Sequence, residues 1–370
     1  MSGSIFKEVT FTPQAFDKEY IFANHRRFGK LIGILESLIE SGIVIGASDT
    51  WKNDVDYFLN KYDDSDRDEL ENLLETLSKR NRLSFPLTNK KLTDEKSWID
   101  AIEKLNKQRS FDFAAGTITD KSIKMLEDID RKSYLNSGAT IQKQTITNIE
   151  KILKPILSYA EIIKIYDPYF KIHEKRFFSV LELICKKLGN GYLDNEGYSI
   201  DIHTSVKSML NKNEFNWETV KNWIQKIQSL EKQYKHEITI KIWEDTDKNK
   251  WHDRWLITDQ CGVSMGKGSD TGNWTDATWG LLDWEDLPKI EDKFIESKNF
   301  YHFIGKITSS GIEKNSMPKT VLVNLTDKER ESENQRLKKE AEESEQKRLE
   351  KLKNPKKLKR GLVPLSERNK

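Results

Sequence analysis

Apolar residues recur at helical spacing through much of the first region of the chain, residues 1–145. The stretch 15–42 carries them at intervals of three and four and ends at a glycine, which predicts one long helix. Similar spacing predicts further helices over 54–62, 65–83, 97–108 and 120–135. The segment FDFAAGTIT (111–119) instead has the character of a short strand. We therefore expect a mainly helical N-terminal domain, whose role the pattern does not indicate.

The pattern changes from about residue 146, where short apolar runs begin to alternate with amphipathic segments. The run from Ile162 to Asp167 predicts a buried strand that stops at Asp167-Pro168. Strands are also expected at 198–205 and 236–245, separated by helices at 174–191 and 216–234. Alternation of this kind is typical of an α/β sheet with helices packed on it.

The stretches 251–259 (WHDRWLITD) and 262–268 (GVSMGKG) predict a hairpin that turns at DQCG. On a strand, residues two apart share a face and lie about 6.5–7 Å from each other. His252 and Arg254 are therefore expected to point the same way.

The region from 327 onward is dominated by charge. Opposite charges recur three and four residues apart in 327–354, which predicts an exposed helix ending at Pro355. The following tail, 351–370, carries eight Lys/Arg and one Glu. Such a tail can bind nucleic acid or an anionic membrane surface, or it can simply keep the chain in solution. Both the N-terminal domain and this charged helix are candidate surfaces for protein partners.

Composition narrows the class of protein. Apolar residues make up 36 % and charged residues 33 %, with a net charge of +2 and 10 tryptophans for the core. No apolar run approaches the roughly 20 residues of a membrane span. Cys185 and Cys261 are too few for a disulfide framework or a cysteine-based zinc site, so we expect a cytoplasmic protein without metal or cofactor.

The hairpin carries the residues best suited to hold a phosphate. An arginine can grip two oxygens of one phosphate, and a histidine beside it can donate to another or attack phosphorus. The loop Gly266-Lys267-Gly268-Ser269 adds a cation, a hydroxyl and glycines whose backbone amides can approach an anion closely, and Ser264 adds a second hydroxyl. The alternative is a surface hairpin with a few solvated charges.

Three polar residues lie where predicted strands end and are candidates to line the same pocket. Open α/β sheets bind ligands at the carboxyl ends of their strands. Asp167 and Tyr169 follow the strand that starts at Ile162, and His203 lies near the end of the next strand. Asp167 can equally be a turn former before Pro168, and His203 a solvated polar residue.

The stretch HDRWLITDQCGVSMGKGSD resembles the phospholipase D-like superfamily, whose signature is His-x-Lys, four residues, Asp, then a Gly/Ser-rich segment. His252, Arg254 and Asp259 fall on that spacing. Over about 146–305 the chain is most similar to the phospholipase D-like C-terminal domain of MIT-domain proteins. The matching motifs are Asp167-Pro168-Tyr169, His252-Asp253-Arg254 and Gly266-Lys267-Gly268-Ser269-Asp270.

The resemblance implies a phospholipase D-like α/β domain over 146–326, between the helical domain and the charged segment 327–370. It also implies a metal-independent phosphodiesterase, in the first place a nuclease. In that role His252 attacks phosphorus, Arg254 clamps the oxygens, Asp259 completes the motif, and Lys267 with the loop amides stabilises charge. Bacterial anti-phage defence is an analogy at the level of the fold.

Two departures from the superfamily leave a second function open. The catalytic members have lysine where this chain has Arg254, and arginine is a planar fork that stays charged. They also bring two motifs together, so this chain would need a homodimer. The alternative is a catalytically inactive adaptor that binds phosphate on nucleic acid, a phosphoinositide or a partner protein.

Overall fold

The structure, a computed structural model, describes residues 5–85, 92–108, 111–120, 122–135, 139–191, 197–211, 214–215, 217–272 and 277–316, with Pro318, Gln335, Lys339, Glu342 and Gln346. These residues form helices and two large sheets, which confirms the predicted α/β class. The basic tail 351–370 lies outside the described residues. Within the charged segment, the described Gln335, Lys339, Glu342 and Gln346 are helical and exposed.

The first region is an α/β unit, so the expectation of a mainly helical domain is wrong. Its described strands are β1 (Lys7–Phe11), β2 (Gly42–Ile45), β3 (Leu83–Ser84), β4 (Phe113–Gly116) and β5 (Ile123–Met125). They pair in parallel in the order β3-β2-β1-β4-β5. The helices of this unit are α1 (Lys18–Phe22), α2 (Arg27–Ser41), α3 (Trp51–Leu59), α4 (Asp64–Lys79), α5 (Glu95–Gln108) and α6 (Arg131–Tyr134).

Two of the missed strands, β1 and β2, are short and buried on both faces. β1 (KEVTF) and β2 (GIVI) have no exposed position, so they lack the alternation that marks a half-buried strand. β2 also begins directly after the last residue of α2, and its apolar residues extend the helical pattern. The predicted helix over 15–42 is broken at 23–26, and β5 and α6 stand within the predicted helix over 120–135.

The second unit is built on a nine-stranded sheet in the order β16-β15-β11-β8-β7-β12-β13-β14-β6. Its described strands, with the separate β9/β10 pair, are β6 (Ala139–Gln142), β7 (Ile162–Tyr166), β8 (Ser199–Ser205), β9 (Leu210–Asn211), β10 (Glu214–Phe215), β11 (Glu237–Glu244), β12 (Trp255–Thr258), β13 (Gly262–Met265), β14 (Ala277–Leu281), β15 (His302–Thr308) and β16 (Gly311–Lys314). Its described α-helices are α7 (Ile146–Leu157), α8 (Lys175–Lys187), α9 (Lys221–Tyr234) and α10 (Asp286–Asp292). Since β6 pairs with β14, the second unit begins before residue 145, earlier than the sequence suggested.

The two faces of the large sheet are covered differently. On one face β7, β8 and β11 direct isoleucines at an aliphatic core that includes residues of α7, α8 and α9. The other face carries an aromatic cluster that includes Tyr166, Trp243, Trp251, Trp255 and Phe294, together with residues of α10. The tryptophans of β11 and β12 are therefore core residues.

Arg82 joins the two units. Its Nε donates to the carbonyl of Gln260 at 2.9 Å, and its Nη1 donates to Leu38 at 3.2 Å and also to Ile39. The residue is 2 % exposed, so its guanidinium forms a buried hydrogen-bonded link between carbonyls of the two units.

Candidate phosphate-binding site

Several predicted residues meet at one edge of the large sheet. β7 and β8 run in parallel and end there, and β12, antiparallel to β7, begins there. The hairpin partner β13 returns to the same edge, so Asp167, Arg254 and the loop 266–270 become neighbours. Pairing across the sheet therefore brings the two predicted motifs together.

Asp167 lies at the centre of this arrangement and is 1 % exposed. Its Oδ2 accepts hydrogen bonds from the amide and the hydroxyl of Ser269, at 3.0 and 2.9 Å. Its Oδ1 accepts the amide of Tyr169 at 2.9 Å. The carboxylate thus ties the end of β7 to the loop after β13, which is a positioning role.

Arg254 is held on several sides while part of its side chain stays in solvent. Its Nε lies 4.0 Å from Asp167 Oδ1, and its Nη1 donates to the carbonyl of Gly266 at 3.3 Å. The guanidinium stacks over the ring of Tyr169, 4.9 Å from its centre. With 24 % of the side chain exposed, the group is oriented and accessible at the same time.

Gly268 allows Asp167 and Arg254 to approach the loop. Its φ is +101°, and a Cβ at this position would lie 3.0 Å from Asp167 Oδ2 and 3.2 Å from Arg254 Cδ. The side chain of Gln144 donates to its carbonyl at 2.8 Å, which anchors the loop from a third side. Packing against Asp167 and Arg254 therefore requires glycine at position 268.

The backbone amides of Gly266, Gly268 and Ser269 donate to acceptors within the protein. The prediction that these amides bind an anion is therefore wrong. The amide of Gly266 donates to Thr278 at 2.9 Å and that of Gly268 donates to Met265 at 3.1 Å. The amide and the hydroxyl of Ser269 both donate to Asp167. An anion at this edge would instead meet side chains, among them that of the exposed Lys267.

A second ion pair beside the loop was missed by the sequence analysis. Arg176 Nη1 lies 2.8 Å from Asp270 Oδ2, and its Nε lies 2.7 Å from Glu174 Oε2. The carbonyl of Arg176 accepts the amide of Thr271 at 3.3 Å. This network fixes the far end of the loop on α8, and no local spacing in the sequence indicates it.

His252 is exposed two residues before Arg254 in the chain, and neither residue lies within a strand, so the predicted shared strand face is wrong. β12 begins only at Trp255, and His252 is exposed in the segment before it. Among the described residues, no hydrogen bond or ion pair holds its ring. The preceding Trp251 anchors this segment, because its ring packs 4.8 Å from that of Phe294 and its Nε1 donates to the carbonyl of Asp253 at 2.8 Å.

Asp259 and Ser264 lie apart from this cluster. Asp259 follows the other end of β12, about 17 Å along the strand from Arg254. Its Oδ1 accepts the amide of Glu161 at 3.2 Å, and burial raises the pKa of its carboxyl to about 7. Ser264 pairs with Trp255, so its side chain lies on the aromatic face of the sheet. The structure does not bring either residue to Arg254.

His203 is a core residue, so its predicted position on a pocket rim is wrong. It is 3 % exposed, and its ring lies 4.4 Å from that of Tyr166 and parallel to that of Trp243. Its Nδ1 accepts a hydrogen bond from Trp243 Nε1 at 3.1 Å, so a neutral ring carries its proton on Nε2. Burial lowers the pKa of His203 well below its ordinary value, with smaller contributions from Lys241 and Lys164.

Neither a metal-ligating cluster nor a membrane-spanning helix is found among the residues that the structure describes. In that part of the chain no three His, Cys, Asp or Glu side chains converge as metal ligands would. In the same part, no helix has both the length and the apolar character needed to cross a bilayer.

Comparison with known proteins does not assign a family. No family model and no curated protein matches the sequence. A similarity is found to the solved structure of TrmBL2, an archaeal chromatin protein described as having a novel mode of DNA binding. The sequences are 16 % identical over 64 % of this chain and 70 % of that chain, with a TM-score of 0.25. At this TM-score the two structures share too little geometry to inform the fold or the site.

Proposed function

We propose that this chain binds phosphate groups, in the first place those of nucleic acid, through the side chains around Arg254. The observation that carries the proposal is the guanidinium itself, held by Asp167, Gly266 and Tyr169 and still partly exposed. A prearranged arginine loses little side-chain entropy when it grips a phosphate in bidentate fashion. His252 and Lys267, both exposed near this edge, add donors for further oxygens.

Binding without cleavage fits this geometry better than catalysis. A histidine that attacks phosphorus needs a partner that orients its ring, and His252 has no such partner among the described residues. Asp259, the third residue of the resembling motif, lies at the other end of β12. In this function Asp167 positions Arg254, and the protein acts as an adaptor.

Fluorescence anisotropy tests the proposal, with labelled single-stranded DNA, duplex DNA, RNA and inositol trisphosphate as separate probes. Replacing Arg254 with alanine is expected to weaken binding about tenfold or more. Arg67→Ala is the matched control, because Arg67 is a partly exposed helical residue paired with Glu71, and it should change affinity less than about twofold. Equal affinities for wild type and a folded Arg254→Ala protein would refute the proposal. Binding of inositol trisphosphate alone would redirect it to lipid headgroups.

A second candidate is a metal-independent nuclease that acts as a homodimer, favoured by the solvent-exposed imidazole of His252. One His252 would attack phosphorus, and that of a second copy would protonate the leaving oxygen; water would then release the phosphate from the histidine. Incubation of DNA and RNA with chelator tests this, comparing wild type with His252→Ala. Cleavage by wild type alone, together with a dimer in light scattering, would support it. If wild type binds nucleic acid through Arg254 but cleaves neither DNA nor RNA, the nuclease is excluded and the adaptor function is supported.

A further inference from the structure

A cavity of about 250 Å³ lies at the opposite edge of the large sheet, where β7 begins and β12 ends. Asp259 and Glu291 contribute carboxyl groups to its lining, and Ile162, Ile257 and Leu287 form apolar walls. The half-buried indole of Trp284 closes one side. The cavity therefore has apolar walls and two carboxyl groups, those of Asp259 and Glu291.

The charges around the cavity leave one carboxyl group uncompensated. Lys164 pairs with Glu291 at 2.5 Å, so these two side chains neutralise each other. Asp259 accepts the amide of Glu161, but within the described residues no cation lies at ion-pair distance from it. A buried carboxyl without a cationic partner is costly to ionise, and a ligand that brings a positive charge removes that cost.

Trp284 already accommodates cations. The guanidinium of Arg80 lies 5.3 Å from its ring centre, and that of Arg82 lies 5.8 Å away. A cationic ligand that packs along the same indole would gain a similar interaction, while an aliphatic stem would cover the apolar walls.

We propose that this cavity binds the positively charged head of a basic ligand, a guanidinium or ammonium on an aliphatic stem, with Asp259 as its anionic partner. The same chemistry occurs in a small free amine and in the side chain of a basic peptide. This site is separate from the Arg254 edge and goes beyond phosphate binding.

The proposal predicts the sign of a pH dependence. Burial raises the pKa of Asp259 to about 7, and a cation binds the ionised carboxylate more strongly than the neutral acid. Affinity should therefore rise about tenfold between pH 6 and pH 8 and change little above that. The other charged or titratable groups around this carboxyl are Glu161, Lys164, Cys261 and Glu291, with Arg80 and Arg82 beyond Trp284.

Ligand-observed NMR with the full chain tests the site, using agmatine, N-acetyl-arginine amide and the neutral N-acetyl-citrulline amide. Both cations should bind and the citrulline compound should not. Tighter binding of agmatine would indicate that the natural ligand is a free amine, and tighter binding of N-acetyl-arginine amide would indicate a peptide.

Asp259→Asn should weaken binding of both cations about tenfold and abolish the pH dependence. Asp283→Asn, an exposed carboxylate outside this cavity, is the control.

Lys164→Met is a second variant that distinguishes loss of the site from misfolding. It removes the lysine that competes with a cationic ligand inside the cavity, and it leaves Glu291 without its ion-pair partner. Cation binding should then become several-fold tighter, an outcome that misfolding does not produce. Equal binding of the citrulline compound, or unchanged affinity in folded Asp259→Asn and Lys164→Met proteins, would overturn the proposal.

Discussion

The carboxylate of Asp167 and the amide and hydroxyl of Ser269 form paired hydrogen bonds of 3.0 and 2.9 Å between the end of β7 and the loop after β13. This contact closes the loop beneath Arg254, whose Nε lies 4.0 Å from the same carboxyl group. The segments that resemble two separate sequence motifs are thus one structural unit.

Asp167→Asn should therefore destabilise the fold by about 1–3 kcal/mol, because a neutral amide cannot accept all of these hydrogen bonds and leaves Arg254 without its countercharge. Urea unfolding measures the change. Asp283→Asn should alter stability by less than about 0.5 kcal/mol, since that side chain is exposed. Similar unfolding midpoints for the two variants would contradict the positioning role of Asp167.

Gly268→Ala is expected to cost about 1–3 kcal/mol, because a Cβ at φ +101° meets both Asp167 and Arg254. Gly29→Ala, at an exposed site within α2 with no atom near the added methyl group, should instead stabilise by up to about 1 kcal/mol. Thermal unfolding of both variants gives the comparison. If Gly268→Ala were tolerated as well as Gly29→Ala, the loop would not have the tight packing described.

His203 should make stability depend on pH. Its pKa is depressed in the folded state, so its neutral form contributes full stability above the unfolded value of about 6.5. That contribution is lost as pH falls below about 6.5 towards the folded pKa, since the unfolded chain then binds a proton that the folded chain excludes. Over the same range Asp259 gains stability as pH falls, because burial raises the pKa of its carboxyl to about 7. The His203 loss is therefore measured by urea unfolding at pH 7 and pH 5 as the change in the stability difference between wild type and His203→Phe.

His203→Phe should reduce this loss, whereas His252→Ala should leave it unchanged because His252 is exposed. Some dependence should persist in His203→Phe, since burial also lowers the pKa of His173 and His236. An identical pH profile for wild type and His203→Phe would argue against a buried neutral ring.

Arg82→Met should destabilise the protein by about 1–3 kcal/mol, because it removes the Nε donor to the Gln260 carbonyl and one of two donors to each of the carbonyls of Leu38 and Ile39. The loss should also uncouple the two units, so that unfolding followed by tryptophan fluorescence and by circular dichroism no longer coincides. Arg67→Ala, at an exposed helical ion pair, should stay within about 0.5 kcal/mol of wild type. Coincident transitions at an unchanged midpoint would show that Arg82 does not couple the units.

Local pattern was sufficient for elements whose ends are marked by turn residues or glycine. The run from Ile162 that stops at Asp167-Pro168 is β7, the helix ending near Gly189 is α8, and the hairpin at DQCG joins β12 to β13. In each, turn residues or a glycine mark where the element ends. The sequence placed Asp167 only among the candidates to line the pocket, and strand pairing brought it next to Arg254.

Tertiary structure decided the rest, because the deciding interactions join residues far apart in the chain. The short strands β1 and β2 are strands only because β4 and β3 pair with them. His203 is buried because Trp243 and Tyr166, which are distant from it in the chain, pack around it. The sequence by itself determined which residues offer phosphate chemistry, whereas packing across the sheet determined which of them face one another.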